Sequence, residues 1–283
     1  MKTNPAMSET PTEKPNISDP APVSEDALLR AEKAGLSLVM TESGLALTDG
    51  ALYLCADLSQ NLRRLQTNNL RQELLVKAAR IKNPDHPLHA IDATAGFGED
   101  ALLLAASGFS VDLYEYDPVI AALLRDALRR AAAIPELAET AGRMHLHAEN
   151  SIAAMHTQAK MQTLSEDTAS FIAGTEDKDK SAADPGQGIA LPSAARALRP
   201  DVILLDPMFP ARDKSALIKK KFQLLQRLEQ PCGDEQELLA AAVAAHPHKI
   251  VIKRPLKGPF LAERKPDYSL KGKAIRYDCF VIA

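Results

Sequence analysis

Asp201-Val-Ile-Leu-Leu-Asp-Pro-Met-Phe-Pro210 is the stretch on which the reading of this chain turns. Four apolar residues, two of them β-branched, run between two acids and stop at a proline. The run is too short for a helix and predicts a strand buried on both faces, as in a parallel sheet. Asp206 then falls at the C-terminal end of that strand, where open α/β sheets build their sites. Pro207 and Pro210 each remove a backbone donor and fix φ, so the chain leaves the sheet as a stiff loop. Such a loop can hold a carboxylate, carbonyl oxygens and the Phe209 ring around a planar group. Taken alone, the pattern also fits a strand followed by an ordinary turn, and the upstream sequence separates the two.

Upstream, strands and helices alternate. Leu88–Asp92 reads as a strand, 93–98 as a loop of small residues, and Glu99–Ser107 as a helix closed by Gly108. Val111–Glu115 is the next strand. Asp117-Pro118 gives an N-cap followed by proline at the first helical position, opening a helix to about Ala133. Met144–Ala148 is a third strand, ending in Glu149-Asn150. Beyond Asp206, Lys214–Gln230 has helical spacing and carries Lys219, Lys220 and Lys221. Asp234-Glu-Gln-Glu237 begins like a capping box for an Ala-rich helix ending near His246. Lys249–Lys253 and Ala274–Ile282 are further strands. This alternation predicts an α/β fold: a Rossmann-like, mainly parallel, doubly wound sheet.

The flanks differ. Residues 1–26 are polar and Pro-rich without periodicity, which predicts a disordered tail. Residues 27–87 form an N-terminal module. Short runs at Leu36–Met40, Leu45–Leu47 and Ala51–Ala56, punctuated by glycines, predict a β-meander. Leu62–Ile81 has apolar residues at helical spacing with cations between them, a basic amphipathic helix with a break near Asn68-Asn69. Residues 88–283 make the main domain, and 160–198 within it lose periodicity and read as an inserted, mobile loop.

Composition is that of an ordinary globular chain, 46% hydrophobic and 25% charged. No apolar run approaches the ~20 residues of a membrane span, and the N-terminus has no signal-peptide core. Cys55, Cys232 and Cys279 are too few and too scattered for a disulfide framework or a zinc site, so a cytoplasmic location is expected. Net charge is −3, yet positive charge is concentrated. Residues 63–82 carry Arg63, Arg64, Arg71, Lys77, Arg80 and Lys82 against Glu73 alone. Residues 249–276 carry nine cations against Glu263 and Asp267. A phosphate-backbone partner is compatible with that distribution.

The loop Asp92-Ala-Thr-Ala-Gly96-Phe-Gly98 joins a strand to a helix, and its small residues let backbone amides approach a ligand. Glu115 ends the next strand, where an acid can accept both hydroxyls of a ribose. Together they imply a cofactor that carries adenosine. A dinucleotide would call for glycine where Thr94 or Ala95 stands, and Glu99 and Asp100 at the helix start would repel its pyrophosphate. They favour a cationic cofactor such as S-adenosylmethionine. No phosphate-binding G-x-x-x-x-G-K-[ST] occurs.

Asp92-Ala-Thr-Ala-Gly, Leu205-Asp-Pro-Met-Phe-Pro210, Lys214-Ser-Ala-Leu-Ile-Lys-Lys220 and Ile252-Lys-Arg-Pro255 resemble the class I S-adenosylmethionine-dependent methyltransferases. More narrowly, they are similar to the bacterial 16S ribosomal RNA guanine-N2 methyltransferases of the J type. Met208 departs from the Asp-Pro-Pro-aromatic string of the wider amino-methyltransferase group. The resemblance implies transfer of a methyl group to a guanine exocyclic amine of 16S rRNA, in naked RNA or in the small ribosomal subunit. It implies cofactor contacts at Glu99, Asp100, Glu115, Tyr116, Glu149, Asn150 and Asp206, beside Asp92 and Gly96 of the loop. Asp206 and the Pro207 carbonyl would take the amine hydrogens and Phe209 would stack on the base, with the segments 63–82 and Lys253–Arg276 holding the RNA backbone. The alternatives are an enzyme of the same fold acting on another nucleic acid or a protein amide, and a noncatalytic RNA-binding protein. His145 and His147 alternate on one strand, but with no third ligand nearby no metal site is expected.

Overall fold

The structure, a computed structural model, describes residues 23–176, 199–207, 222–228 and 234–282. The N-terminal module starts with α1 (Glu25–Lys33), capped by Ser24, whose hydroxyl accepts from the Ala27 amide. The expected tail boundary at 26 cuts into this helix, which is anchored by buried Ala27 and Ala31. The meander follows as β1 (Ser37–Thr41), β2 (Gly44–Thr48) and β3 (Tyr53–Cys55), an antiparallel sheet in that order.

The basic helix expected over 62–81, with one break near Asn68-Asn69, is instead three short helices preceded by a 3-10 turn (Leu58–Asn61). These are α2 (Leu62–Leu65), α3 (Thr67–Leu70) and α4 (Leu74–Ala79). Gln66 (φ −56°, ψ 134°) and Glu73 (φ −58°, ψ 129°) leave helical geometry and make the breaks. Arg64 shows what the breaks achieve: its Nε and a terminal nitrogen meet both oxygens of Glu73, at 2.8 and 3.1 Å. On a continuous helix, residues nine apart would lie about 13.5 Å apart along the axis and could not pair.

The main domain runs β4 (His89–Asp92), α5 (Glu99–Ala106), β5 (Ser110–Tyr114), α6 (Pro118–Ala132), α7 (Pro135–Ala141), β6 (Met144–His147) and α8 (Ser151–Glu176). It continues through β7 (Val202–Leu205), α9 (Phe222–Gln226), α10 (Glu235–Ala244), β8 (Lys249–Pro255), β9 (Tyr268–Lys271) and β10 (Ile275–Val281). The sheet order is β6-β5-β4-β7-β8-β10-β9. The first five strands are parallel. β10 is antiparallel to both β8 and β9. The chain winds outward from β4 through β5 to β6, then returns to the other side of β4 with β7. The switch point therefore lies between β4 and β7, flanked by the loops that carry the candidate residues.

Caps set several of these elements. Asp117 accepts from the amides of Val119 and Ile120 at 2.9 and 3.3 Å, and Asp234 from Glu237 at 2.7 Å. Every side chain of β7 is fully buried, each worth about 1.5–3 kcal/mol against exposure. One apolar cluster joins α5 and α6 to β2 and α4 through residues such as Leu47, Leu75, Leu103 and Leu124, so the N-terminal module shares the main domain's core. Asp126 of α6 locks this contact by accepting from the Leu45 amide at 3.0 Å while paired with Arg130. A second cluster fills the opposite face under α8 and α10.

Residues 160–176 are not part of a loop. α8 continues through them, and Gln162, buried on its inner side, donates to the Ala245 carbonyl at 3.3 Å. Only 177–198 of the expected insertion remain, and they lie outside the described residues. The same holds for Met208–Pro210 and for the Lys219–Lys221 cluster. α7 and β9 have no counterpart in the sequence reading.

Candidate active site

The loop after β4 is clamped from both sides. The Ala93 amide donates to the Leu204 carbonyl of β7 and the Ala95 amide to the Tyr114 carbonyl of β5, both at 3.0 Å. Its side chains and amides then reach the two acids expected to matter most. Thr94 Oγ1 accepts from the Asp206 amide at 2.7 Å, while the Gly96 amide donates to Glu115 Oε2 at 3.0 Å. One seven-residue turn therefore stands between the two acids, holding the carboxylate of Glu115 and the backbone of Asp206. Gly96 and Gly98 have φ of +53° and +72°. A Cβ on Gly98 would strike Leu124 at 2.8 Å, whereas one on Gly96 would meet nothing within 4 Å. The backbone at 96 thus borders open space that a ligand can enter.

Burial raises the carboxyls of Asp92, Glu115 and Asp206 around this turn. Asp92 is 2% exposed. Burial, reinforced by the charge of Asp100, pushes its carboxyl up to about 8, against the pull of the Thr94 amide. Burial likewise lifts Glu115 to about 7, although its oxygens accept from the amides of Gly96 and Asp117. Each carboxylate oxygen has two lone pairs, so Glu115 keeps acceptor capacity for two hydroxyls. Lys253, at the end of β8, puts its Nζ 2.7 Å from Asp100 Oδ2 and 2.9 Å from Asp206 Oδ2. Desolvation opposes the ammonium, but Asp100 and Asp206 outweigh it and hold Lys253 above its ordinary range. For Asp206 desolvation leads and raises the carboxyl, with Lys253 pulling it back. Its Oδ2 is engaged by the lysine, while Oδ1 has no partner among the described residues.

Asp92, Gly96, Asp100, Glu115 and Asp206 are thus brought together, and Pro207 is buried directly after Asp206. Glu99 is exposed in the first turn of α5, and Tyr116 stands 58% exposed past β5. The pair after β6 is less engaged. Asn150 caps α8 by accepting from the Ile152 amide at 2.8 Å, and Glu149 lies 3.9 Å from His147. Phe209 lies outside the described residues. His147 is the partner of Asp112, which also takes His89. His145 is exposed, and no cluster of three metal-ligating side chains occurs among the described residues.

Several cations of the basic 249–276 stretch turn inward instead. Lys249 caps the end of α4 at the carbonyls of Ala78 and Arg80. Arg254 is buried against the Pro259 carbonyl and Glu235. Arg276 pairs with Asp278 and donates to the carbonyls of Pro255, Leu256 and Gly258. Lys253 serves the acids. Burial drives all four, because an unpaired cation beside the sheet would cost too much.

Comparison with known proteins agrees with this geometry. A family model for SAM-dependent methyltransferases matches residues 23–168 and 187–282. The ribosomal RNA small subunit methyltransferase J of Thioalkalivibrio sulfidiphilus is 36% identical over 261 residues, covering 89% of this chain and 88% of that protein. The protein of the same name from Pseudoalteromonas atlantica is 36% identical over 256 residues, covering 88% and 86%. The chain belongs to the ribosomal RNA small subunit methyltransferase J family. A crystal structure of a SAM-dependent methyltransferase from Neisseria gonorrhoeae superposes with a TM-score of 0.56 at 27% identity, covering 88% of this chain and 83% of that one.

S-adenosylmethionine is therefore the cofactor of this J-family member, and the residues present fit it. Two raised carboxyls, an acidic first helical turn and an open glycine suit a cation carrying a ribose and reject a pyrophosphate. Thr94 and Lys253 are the site residues that motif reading overlooked. Both stand inside quoted motifs, Asp92-Ala-Thr-Ala-Gly and Ile252-Lys-Arg-Pro255, and Lys253 sits near a strand's C-terminal end, the position that could have singled it out. Among the described residues no helix is long and apolar enough to cross a membrane.

Proposed function

We propose that this protein methylates the exocyclic N2 amine of one guanine in 16S ribosomal RNA, in the cytoplasm. The observation that carries the reading is Asp206. It follows β7 at the switch point, its amide is held by Thr94, its Oδ2 by Lys253, and its Oδ1 meets no partner among the described residues. Across the glycine turn stands Glu115, placed for a ribose. The relatives named above supply the RNA class.

When bound, S-adenosylmethionine supplies an electrophilic methyl on a sulfonium. The chain's own residues do the rest. A guanine N2 lone pair is delocalised into the ring, so the amine is a poor nucleophile. Asp206 Oδ1 and the Pro207 carbonyl accept its two N–H groups and favour a pyramidal nitrogen with its lone pair free. Lys253 keeps the Asp206 carboxylate in one orientation, and Asp206 takes up the proton that leaves the nitrogen. Catalysis then comes from positioning and charge placement. Asp92, Gly96, Glu99, Asp100, Glu115, Tyr116, Glu149 and Asn150 would hold the cofactor, and Phe209 would stack on a base drawn out of its helix. The exposed cations Arg63, Arg71, Lys271 and Lys273 face the RNA backbone. Mass spectrometry of 16S rRNA nucleosides from cells with and without the gene tests this reading. Loss of one N2-methylguanosine is expected, and an unchanged methylation profile would overturn it.

A further inference from the structure

A cavity of about 430 Å³ opens between the short helices and β10, apart from the glycine turn. Its floor is apolar, made by the half-buried Leu74 and Ile275 over the buried Tyr277, and the β9–β10 hairpin closes on Leu74 so tightly that a Cβ on Gly272 would meet it at 2.8 Å. The Arg64–Glu73 pair, tied also to Asn61, forms a rigid wall. Gln72 lines the side and Arg63 the mouth. Both are exposed, and among the described residues Arg63 makes no ion pair. The position is as informative as the lining. Tyr277 pairs in register with Lys253, and Lys253 reaches Asp206 on the strand beyond. Two strand spacings of about 4.8 Å place the cavity roughly 10 Å from the methyl-accepting position.

We infer that this cavity receives one nucleotide of the RNA strand adjoining the methylated guanine, its base on the Leu74–Ile275 floor and its phosphate on Arg63. The inference rests on the rRNA reading above and deepens it. The volume lies at the small end of the range for ligand pockets and suits a single nucleotide. A flat apolar floor with an amide at its side accepts any base by stacking and one edge by hydrogen bonding. An unpaired guanidinium at the rim matches a phosphate in geometry and charge. The breaks at Gln66 and Glu73 now have a purpose: a continuous helix would present Arg63 and Glu73 on one rod and leave no recess.

Methyl-transfer kinetics on small ribosomal subunits test this, using wild type, Arg63→Glu, Arg63→Lys and Gln72→Ala. All three substitutions are at exposed positions. Arg63→Glu is expected to raise KM for the RNA at least tenfold, with the loss confined to KM, and Arg63→Lys to recover most of it. The slope of log affinity against log salt should fall by about one in Arg63→Glu. A KM for Arg63→Glu within twofold of wild type, while wild type transfers methyl normally, would overturn the cavity assignment and the Arg63 contact with the RNA backbone, and the methyltransferase reading would stand. A wild type that binds S-adenosylmethionine but labels no rRNA would overturn the functional reading and this inference with it.

Discussion

Lys253 touches two acids with opposite duties, Asp100 beside the cofactor's place and Asp206 beside the acceptor's. Replacing it by methionine removes the charge and keeps the stem. Without the cation Asp206 ionises less readily, and an opposite charge at this range typically shifts a carboxyl by 1–3 units. Lys253→Met should therefore move the acid limb of the kcat–pH profile upward by about one unit; a profile that stays in place would show the lysine to be structural only. Asp92 and Glu115 make a second residue-level prediction. Their folded pKa values, about 8 and about 7, lie above the ordinary carboxylate range. Between roughly pH 4 and 8 the folded apo protein binds protons that the unfolded chain does not, so its stability falls as pH rises. A bound cation favours the ionised acids, so cofactor affinity should rise from pH 6 to 8.5 and flatten in Asp92→Asn, which calorimetry across that range would show.

At the scale of elements, Asp112 ties three parallel strands at one edge. It accepts from His89 of β4 at 2.8 Å and from His147 of β6 at 2.9 Å. Desolvation opposes its charge, but those two bonds prevail and hold it at about 2. A depressed acid stabilises the fold above its unfolded pKa and loses that contribution as pH falls from about 4 through 2. Asp112→Asn should cost about 1 kcal/mol at pH 6 after solvent screening, with the difference from wild type vanishing near pH 2 in denaturant titrations. Elements were legible in the sequence where one signal dominated. Asp117-Pro118 and Asp234 announced their helices because a cap and its amide partners are local. The 62–81 segment was misread because its break depends on Arg64 meeting Glu73, a pairing that helical periodicity cannot express. The 160–176 segment looked aperiodic because its amphipathic stripe is weak, and what supports the start of α8 is α10, a distant part of the chain.

For the molecule as a whole, the doubly wound order could be read from alternation, since strands 88–92, 111–115, 144–148 and 201–206 are each followed by a turn signal or a helix. β9 escaped because it pairs only with β10, at an edge where burial leaves no pattern. Net charge was a poor guide to the RNA face: four cations of the 249–276 segment are spent inside the fold, which shifts the expected contact surface toward the short helices and the β9–β10 hairpin. The two acids at 115 and 206 were legible as strand-end residues, yet what joins them, Thr94 and the Gly96 amide, emerged only from the fold. On the reading proposed above, Asp206 activates the acceptor amine beside a cofactor that Asp92, Asp100 and Glu115 also hold. Single-turnover methyl transfer by Asp206→Asn to small ribosomal subunits, at saturating S-adenosylmethionine, tests it most directly. A rate at least 100-fold below wild type is expected, the scale for losing one preorganised partner of the reacting group, with cofactor still bound. A wild-type rate in that variant would contradict it.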